Sequence, residues 1–172
     1  KIARIYGVLG NNDYTQGDVE FLVNELTEAG LTLLSNESLL ITLQNGGAFN
    51  LTGIDALNRG IPEMAPGLPN ILIAHSPDII IQLKEYPVAL LLSGHTHGGQ
   101  ICLPLIGPVI THSKLGRRYA SGLFKVNGTY IYVNRGLGTS VLPARFLARP
   151  EVTVISLFPS VGEEGKANCV VR

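Results

Sequence analysis

Val88-Ala89-Leu90-Leu91-Leu92-Ser93-Gly94-His95-Thr96-His97-Gly98-Gly99-Gln100 is the stretch on which the reading of this chain turns. Its apolar half has the length and composition of a buried strand, and it runs directly into two of the four histidines in 172 residues. In an extended segment residues two apart point the same way. His95 and His97 are therefore expected to aim two imidazoles into one small volume, between glycines that let backbone approach a ligand. Imidazole suits zinc, iron, nickel or copper, so the spacing points to a metal site.

The same grammar recurs upstream. Residues 5–9 are β-prone and close on Gly10-Asn11-Asn12-Asp13, residue types of a tight turn. Residues 70–74 read as a buried strand that ends at His75. Ser76-Pro77-Asp78 then supplies an N-cap, a proline at the first helical position and an acid in the first turn, predicting a helix to about Lys84. Ligands of open α/β sheets gather at the carboxyl ends of strands, and three strands here end on Asn11, His75 and the His95/His97 pair.

Around these, Asn45-Gly46 and Asn127-Gly128 predict two hairpins, residues 39–43 with 49–54 and 119–126 with 129–133. Thr15 and Asp18 head an amphipathic helix with Val19, Leu22, Val23 and Leu26 on one face, stopped by Gly30. Residues 55–69 and 104–118 read as irregular, 134–140 as a polar loop and 152–158 as a final strand. The expected organisation is one domain over residues 1–158 and a frayed tail over 159–172.

Thirteen basic and thirteen acidic residues cancel, so bulk charge gives no reason to expect a nucleic-acid partner. Cys102 and Cys169 are read as reduced thiols. The longest apolar run, residues 88–92, is far short of the roughly 18 to 20 residues that span a bilayer. A chain opening at Lys1 and entering a strand almost at once reads as a piece of a longer protein, soluble as given. His112 lacks the glycine setting of the pair and is read as structural.

Gly10-Asn11-Asn12-Asp13, His75 after an apolar strand, and Gly94-His95-Thr96-His97 together resemble, in order and setting, the last three motifs of the calcineurin-like metallophosphoesterases. Gly98-Gly99-Gln100, the segment from Arg135 to Ser140, Pro143, Arg145 and Arg149-Pro150-Glu151 are similar to one bacterial branch, which includes phosphodiesterases and lipid-sugar diphosphate hydrolases. The resemblance implies an α/β fold, a β-sandwich flanked by helices, truncated at its N-terminus. It implies two divalent metals (Mn, Zn, Fe or Mg), with Asn11, His75 and His95 on one and His97 on the other. Asn12 and Asp13 take the catalytic positions, and Arg135, Arg145 and Arg149 are candidates for the phosphate-ester substrate because guanidinium matches phosphate oxygens two-pronged. The Arg117-Arg118 pair is read as solvated surface.

The chain departs from the family pattern twice. The family's first two motifs, which carry its carboxylate ligands, precede the Asn-bearing motif and are not in these residues. Neutral ligands cannot offset two dications held close together, so at most one metal is expected to be held well. Asn12 stands where the family usually has histidine, and an amide cannot act as a general acid. Two other readings stay open: a non-catalytic scaffold of the same fold, and a mononuclear zinc hydrolase built on His75, His95 and His97. A cytoplasmic or membrane-peripheral bacterial protein, attached through an upstream segment, completes the expectation; the oligomeric state is left open.

Overall fold

Short runs of Val, Ile and Leu between Gly- and Asn-bearing turns become strands throughout residues 4–161 and 167–171, the part of the chain that the computed structural model describes. In order these are β1 (Ile5–Gly7), α1 (Asn11–Thr15), α2 (Val19–Glu28), β2 (Leu31–Leu33), β3 (Glu37–Thr42), β4 (Ala48–Ile54), β5 (Asn70–Ala74) and β6 (Val88–Ser93). They continue as β7 (Cys102–Leu103), β8 (Gly107–Pro108), β9 (Gly122–Val126), β10 (Thr129–Val133), β11 (Leu157–Val161) and β12 (Ala167–Val171).

The fold is α/β, centred on a mixed sheet of six strands in the order β3-β4-β5-β6-β10-β9. The four inner strands run parallel, and each edge is an antiparallel hairpin partner. Both hairpins turn where Asn-Gly predicted. Gly46 (φ 82°), Asn127 (φ 49°) and Gly128 (φ 87°) take the left-handed conformation that matches the strand twist. Because the inner strands are parallel, their carboxyl ends all open on one rim.

Each face of the sheet has its own core. On one, Leu34, Leu51, Ile71 and Leu90 pack with Tyr6 and Val8 from the parallel β1-β2 pair, so a small second sheet lies over the first. At Gly53 of β4 the two approach tightly: a Cβ there would collide with Leu34. On the other, Ile54, Leu72, Leu91, Ile131 and Val133 pack with Ile79, Leu83 and Tyr119 from irregular segments.

Several expectations shift. Asp18 caps α2 alone, its carboxylate accepting from Glu20 N and Phe21 N, while Thr15 closes α1. Residues 10–13 open the helical turn α1, with Asp13 Oδ2 accepting from Gly10 N at 2.6 Å. Ser76 caps as predicted, but it opens only a five-residue 3-10 turn, Pro77–Ile81, because the chain must turn back into β6 within a few residues. The final strand starts at Leu157 instead of Val152. Leu157–Val161, which runs into the expected tail of 159–172, pairs antiparallel with Ala167–Val171 inside it; residues 162–166 and 172 lie outside the described residues. No helix among the described residues is long and apolar enough to cross a membrane.

Candidate metal centre

Backbone hydrogen bonds lace the strand ends together: His75 N to Ile54 O, Gly94 N to His75 O, and Asn134 N to Ser93 O at 2.8 Å. Ala56 N donates to Leu9 O at 2.9 Å, which ties the end of the small sheet to the end of β4. Asp55, buried just past β4, accepts from Tyr14 Oη of α1 at 2.8 Å and from Ser35 Oγ at 2.7 Å. Burial pushes that carboxyl up, but these hydrogen bonds outweigh it and hold it below its ordinary value. A charged strut thereby fixes α1, and with it Asn11.

The consequence is convergence. His75 Nε2 lies 2.7 Å from Asn11 Oδ1, and the rings of His75 and His95 are 4.4 Å apart between centroids. A pocket of about 400 Å³ is lined by Gly10, Asn11, Asn12, Asp13, His75, His95, His97 and His112. Gly10 is required there because a Cβ would stand 2.8 Å from His75 Cε1. All four proposed metal ligands thus face one pocket.

His95 and His97 arrive there by a route other than the expected one. The strand stops at Ser93, and both histidines have left-handed backbones, φ 67° and 51°. They reach the same pocket through a tight turn and not by alternation along a strand. Thr96 between them is buried, its hydroxyl donating to Ala120 O at 2.6 Å, which anchors the turn.

Burial lowers His75 to about 4, and the neighbouring His95 adds to the shift. Burial also lowers His97; the charge of Arg145 helps, and the Gly138 carbonyl opposes it. Both are neutral at pH 7, with a lone pair to offer. His97 Nδ1 faces Gly138 O at 3.4 Å and His95 Nε2 faces His112 O at 3.1 Å. A ring nitrogen that donates to a carbonyl leaves its other nitrogen as the acceptor.

The arginines fare differently. Arg145 spends its guanidinium on carbonyls: His97 and Ala148 at 3.1 Å each, Arg135 at 2.7 Å, and Gly138. Arg135 forms an ion pair with Glu151, which also binds Tyr132 and Asn134. Arg149 is exposed and lines none of the described pockets. Asn12 is exposed, its Oδ1 taking a hydrogen bond from Asn11 Nδ2.

One residue that sequence patterns left outside the site reaches it, and a second holds the loop beside it. His112 lines the pocket and bonds His95, brought there because Asp78 accepts from Ser113 Oγ and Lys114 N. Gln100 grips the opposite loop through Ser140 N, Ser140 O and Leu142 O. No local pattern marks the first; the second was visible only as part of the resemblance.

Comparison with known proteins bears on this pocket. The chain is 40% identical over 157 residues to the uncharacterized metallophosphoesterase YkuE of Bacillus subtilis, a match covering 87% of this chain and 54% of that protein. It is 35% identical over 161 residues to the phosphodiesterase YaeI of Escherichia coli, covering 90% and 58%. The chain belongs to the metallophosphoesterases. A third relative of this metallophosphoesterase chain is the UDP-2,3-diacylglucosamine pyrophosphatase LpxG of Chlamydia trachomatis, 32% identical over 148 residues, covering 78% and 44%. The chain spans about half the length of the curated relatives it matches. No family model and no solved structure matches it.

The family implies divalent metal, and the donor chemistry of this metallophosphoesterase chain fits one: two lowered imidazoles, a third beside them and an amide oxygen on one pocket wall. Among the described residues no three His, Cys, Asp or Glu side chains are grouped to enclose an ion, and Asp13 is engaged by Gly10 N. Asp13 is the one carboxylate among the described residues lining this pocket.

Proposed function

We propose that the protein hydrolyses phosphate mono- or diesters, with lipid-sugar and nucleotide diphosphates in range, using divalent metal (Mn, Zn, Fe or Mg) held at this pocket. The observation that carries the reading is the convergence of Asn11, His75 and His95 from the ends of β1, β5 and β6. Asn11, His75 and His95 would hold one ion and His97 would help hold a second, of which these residues alone retain at most one. Such ions supply Lewis-acid activation of water and a clamp on phosphoryl oxygens.

The chain's own backbone and side chains do the rest. His112 O and Gly138 O orient the imidazoles of His95 and His97. Asn12, exposed at the pocket wall, offers a hydrogen bond to the departing oxygen but no proton. Asp13 closes the turn that presents both asparagines. Of the three arginines proposed for substrate anions, Arg149 is exposed and stands outside the pocket, while Arg135 and Arg145 hold the loop beside it.

The test is hydrolysis of bis(p-nitrophenyl) phosphate by the full-length protein with added Mn²⁺, together with metal content by mass spectrometry. His95→Ala should lower both, turnover by at least about a hundredfold. Unchanged turnover in His95→Ala would sink the reading. A metal-free protein without turnover would favour the scaffold, to which the exposed Asn12 already lends itself.

A further inference from the structure

We infer that the two loops bordering the histidine pocket form a docking surface for an anionic lipid bilayer. The first loop is the β7-β8 hairpin, whose tip carries Leu105, fully exposed with a left-handed backbone, and Ile106, 57% exposed. The second holds Val141 and Leu142, 98% and 53% exposed, and Leu147 at 60%. They form one surface. Ile101 bridges to Phe146 and Leu147, Cys102 N donates to Phe146 O, and Ile101, Val109, Ile110, Val141 and Leu142 line one groove of about 320 Å³.

An apolar surface of this extent marks an interaction site, and charge says with what. From Tyr86 to Pro150 the sequence has no Asp or Glu, yet it carries seven Lys and Arg. Arg145 is consumed internally and Arg135 is paired with Glu151. Arg117 reaches the carbonyl of Ile106 at the hairpin tip, and Arg118 and Arg149 are exposed nearby in the chain. Apolar tips with Arg117 at the hairpin and no Asp or Glu on either loop complement an anionic headgroup layer. A protein partner needs no such uniform charge.

Position supplies the purpose. The groove shares His97, His112, Ser140 and Val141 with the histidine pocket, so the docked surface opens directly onto it. Resting on the proposed hydrolysis for this one point, the surface would let the pocket meet phosphate esters that stay in the bilayer.

The test is sedimentation of the full-length protein with vesicles of phosphatidylcholine alone or mixed with phosphatidylglycerol. Binding should need the anionic lipid and weaken with salt. Arg117→Gln and Arg118→Gln should each lower the partition coefficient about fivefold, and Leu105→Asp with Ile106→Asp at least about tenfold. A Leu105→Trp reporter should shift its emission to the blue on binding; the 172 residues contain no other Trp. Hydrolysis of a soluble ester should stay unchanged in these variants, so docking and catalysis fail separately. Absence of binding to both vesicles overturns the inference, as does self-association through this surface that Leu105→Asp abolishes.

Discussion

Asn12 is the residue whose chemistry departs furthest from the family pattern. It is exposed at the mouth of the pocket, and among the described residues its side chain is engaged only by that of its neighbour Asn11. An amide stabilises charge on a departing oxygen but cannot protonate it, and general acid catalysis is worth roughly a hundredfold or more. Asn12→His should therefore raise turnover of alkyl phosphate esters by about that factor and leave p-nitrophenyl esters, whose leaving group needs no proton, nearly unchanged. Steady-state rates on both ester types check this; equal gains on both would remove the leaving-group argument.

At the scale of elements, Arg145 joins segments that share no secondary structure. Its guanidinium draws carbonyls of residues 97, 135, 138 and 148 to one point. Arg145→Met should leave those part-buried and exposed carbonyls without their shared donor, lowering stability by about 1–3 kcal/mol and opening residues 136–148 to protease. Denaturant melts and limited digestion check it, with Arg145→Lys recovering little because an ammonium cannot reach four carbonyls in one plane.

Elements were also where the sequence was most and least legible. Both Asn-Gly hairpins and the apolar strands leading to His75 and to the His95/His97 pair could be read from residue type, because turn chemistry and apolar runs act locally. The 3-10 turn after Ser76 could not: its cap signals are those of a helix, and only the return into β6 cuts it short. Nor could the left-handed backbones of His95 and His97, which L residues adopt only when their surroundings hold them there. His112 enters through the contacts of Asp78, a long-range fact with no sequence pattern. The partners of Arg135 and Arg145 were unreadable for the same reason, since what a guanidinium meets depends on the groups folded around it.

For the whole molecule, the two stacked sheets depend on Gly53. Gly53→Ala would force Leu34 off its place over β4 and should cost about 1–3 kcal/mol, seen as a lower midpoint in urea with an unchanged slope. Protons act globally too. His75 titrates near 4 when folded and near 6.5 when not, so between those values the unfolded chain holds more protons and stability falls as pH drops. Below about 4 both states are protonated and the loss stops. Thermal melts of metal-free protein from pH 7 to pH 4 should show this slope, flattened in His75→Gln.

The parallel arrangement of the inner strands also sets an order of events. The β3-β4 and β9-β10 hairpins join neighbours in sequence and can close within microseconds. Pairing β6 with β10 must wait for the intervening residues 94–128. During synthesis, therefore, His75 and His95 exist well before Thr129–Val133 arrives, and until then β6 presents an unpaired apolar edge next to the nascent pocket. The interval between those two moments is when this chain is most exposed to aggregation, and when a chaperone would have most to protect.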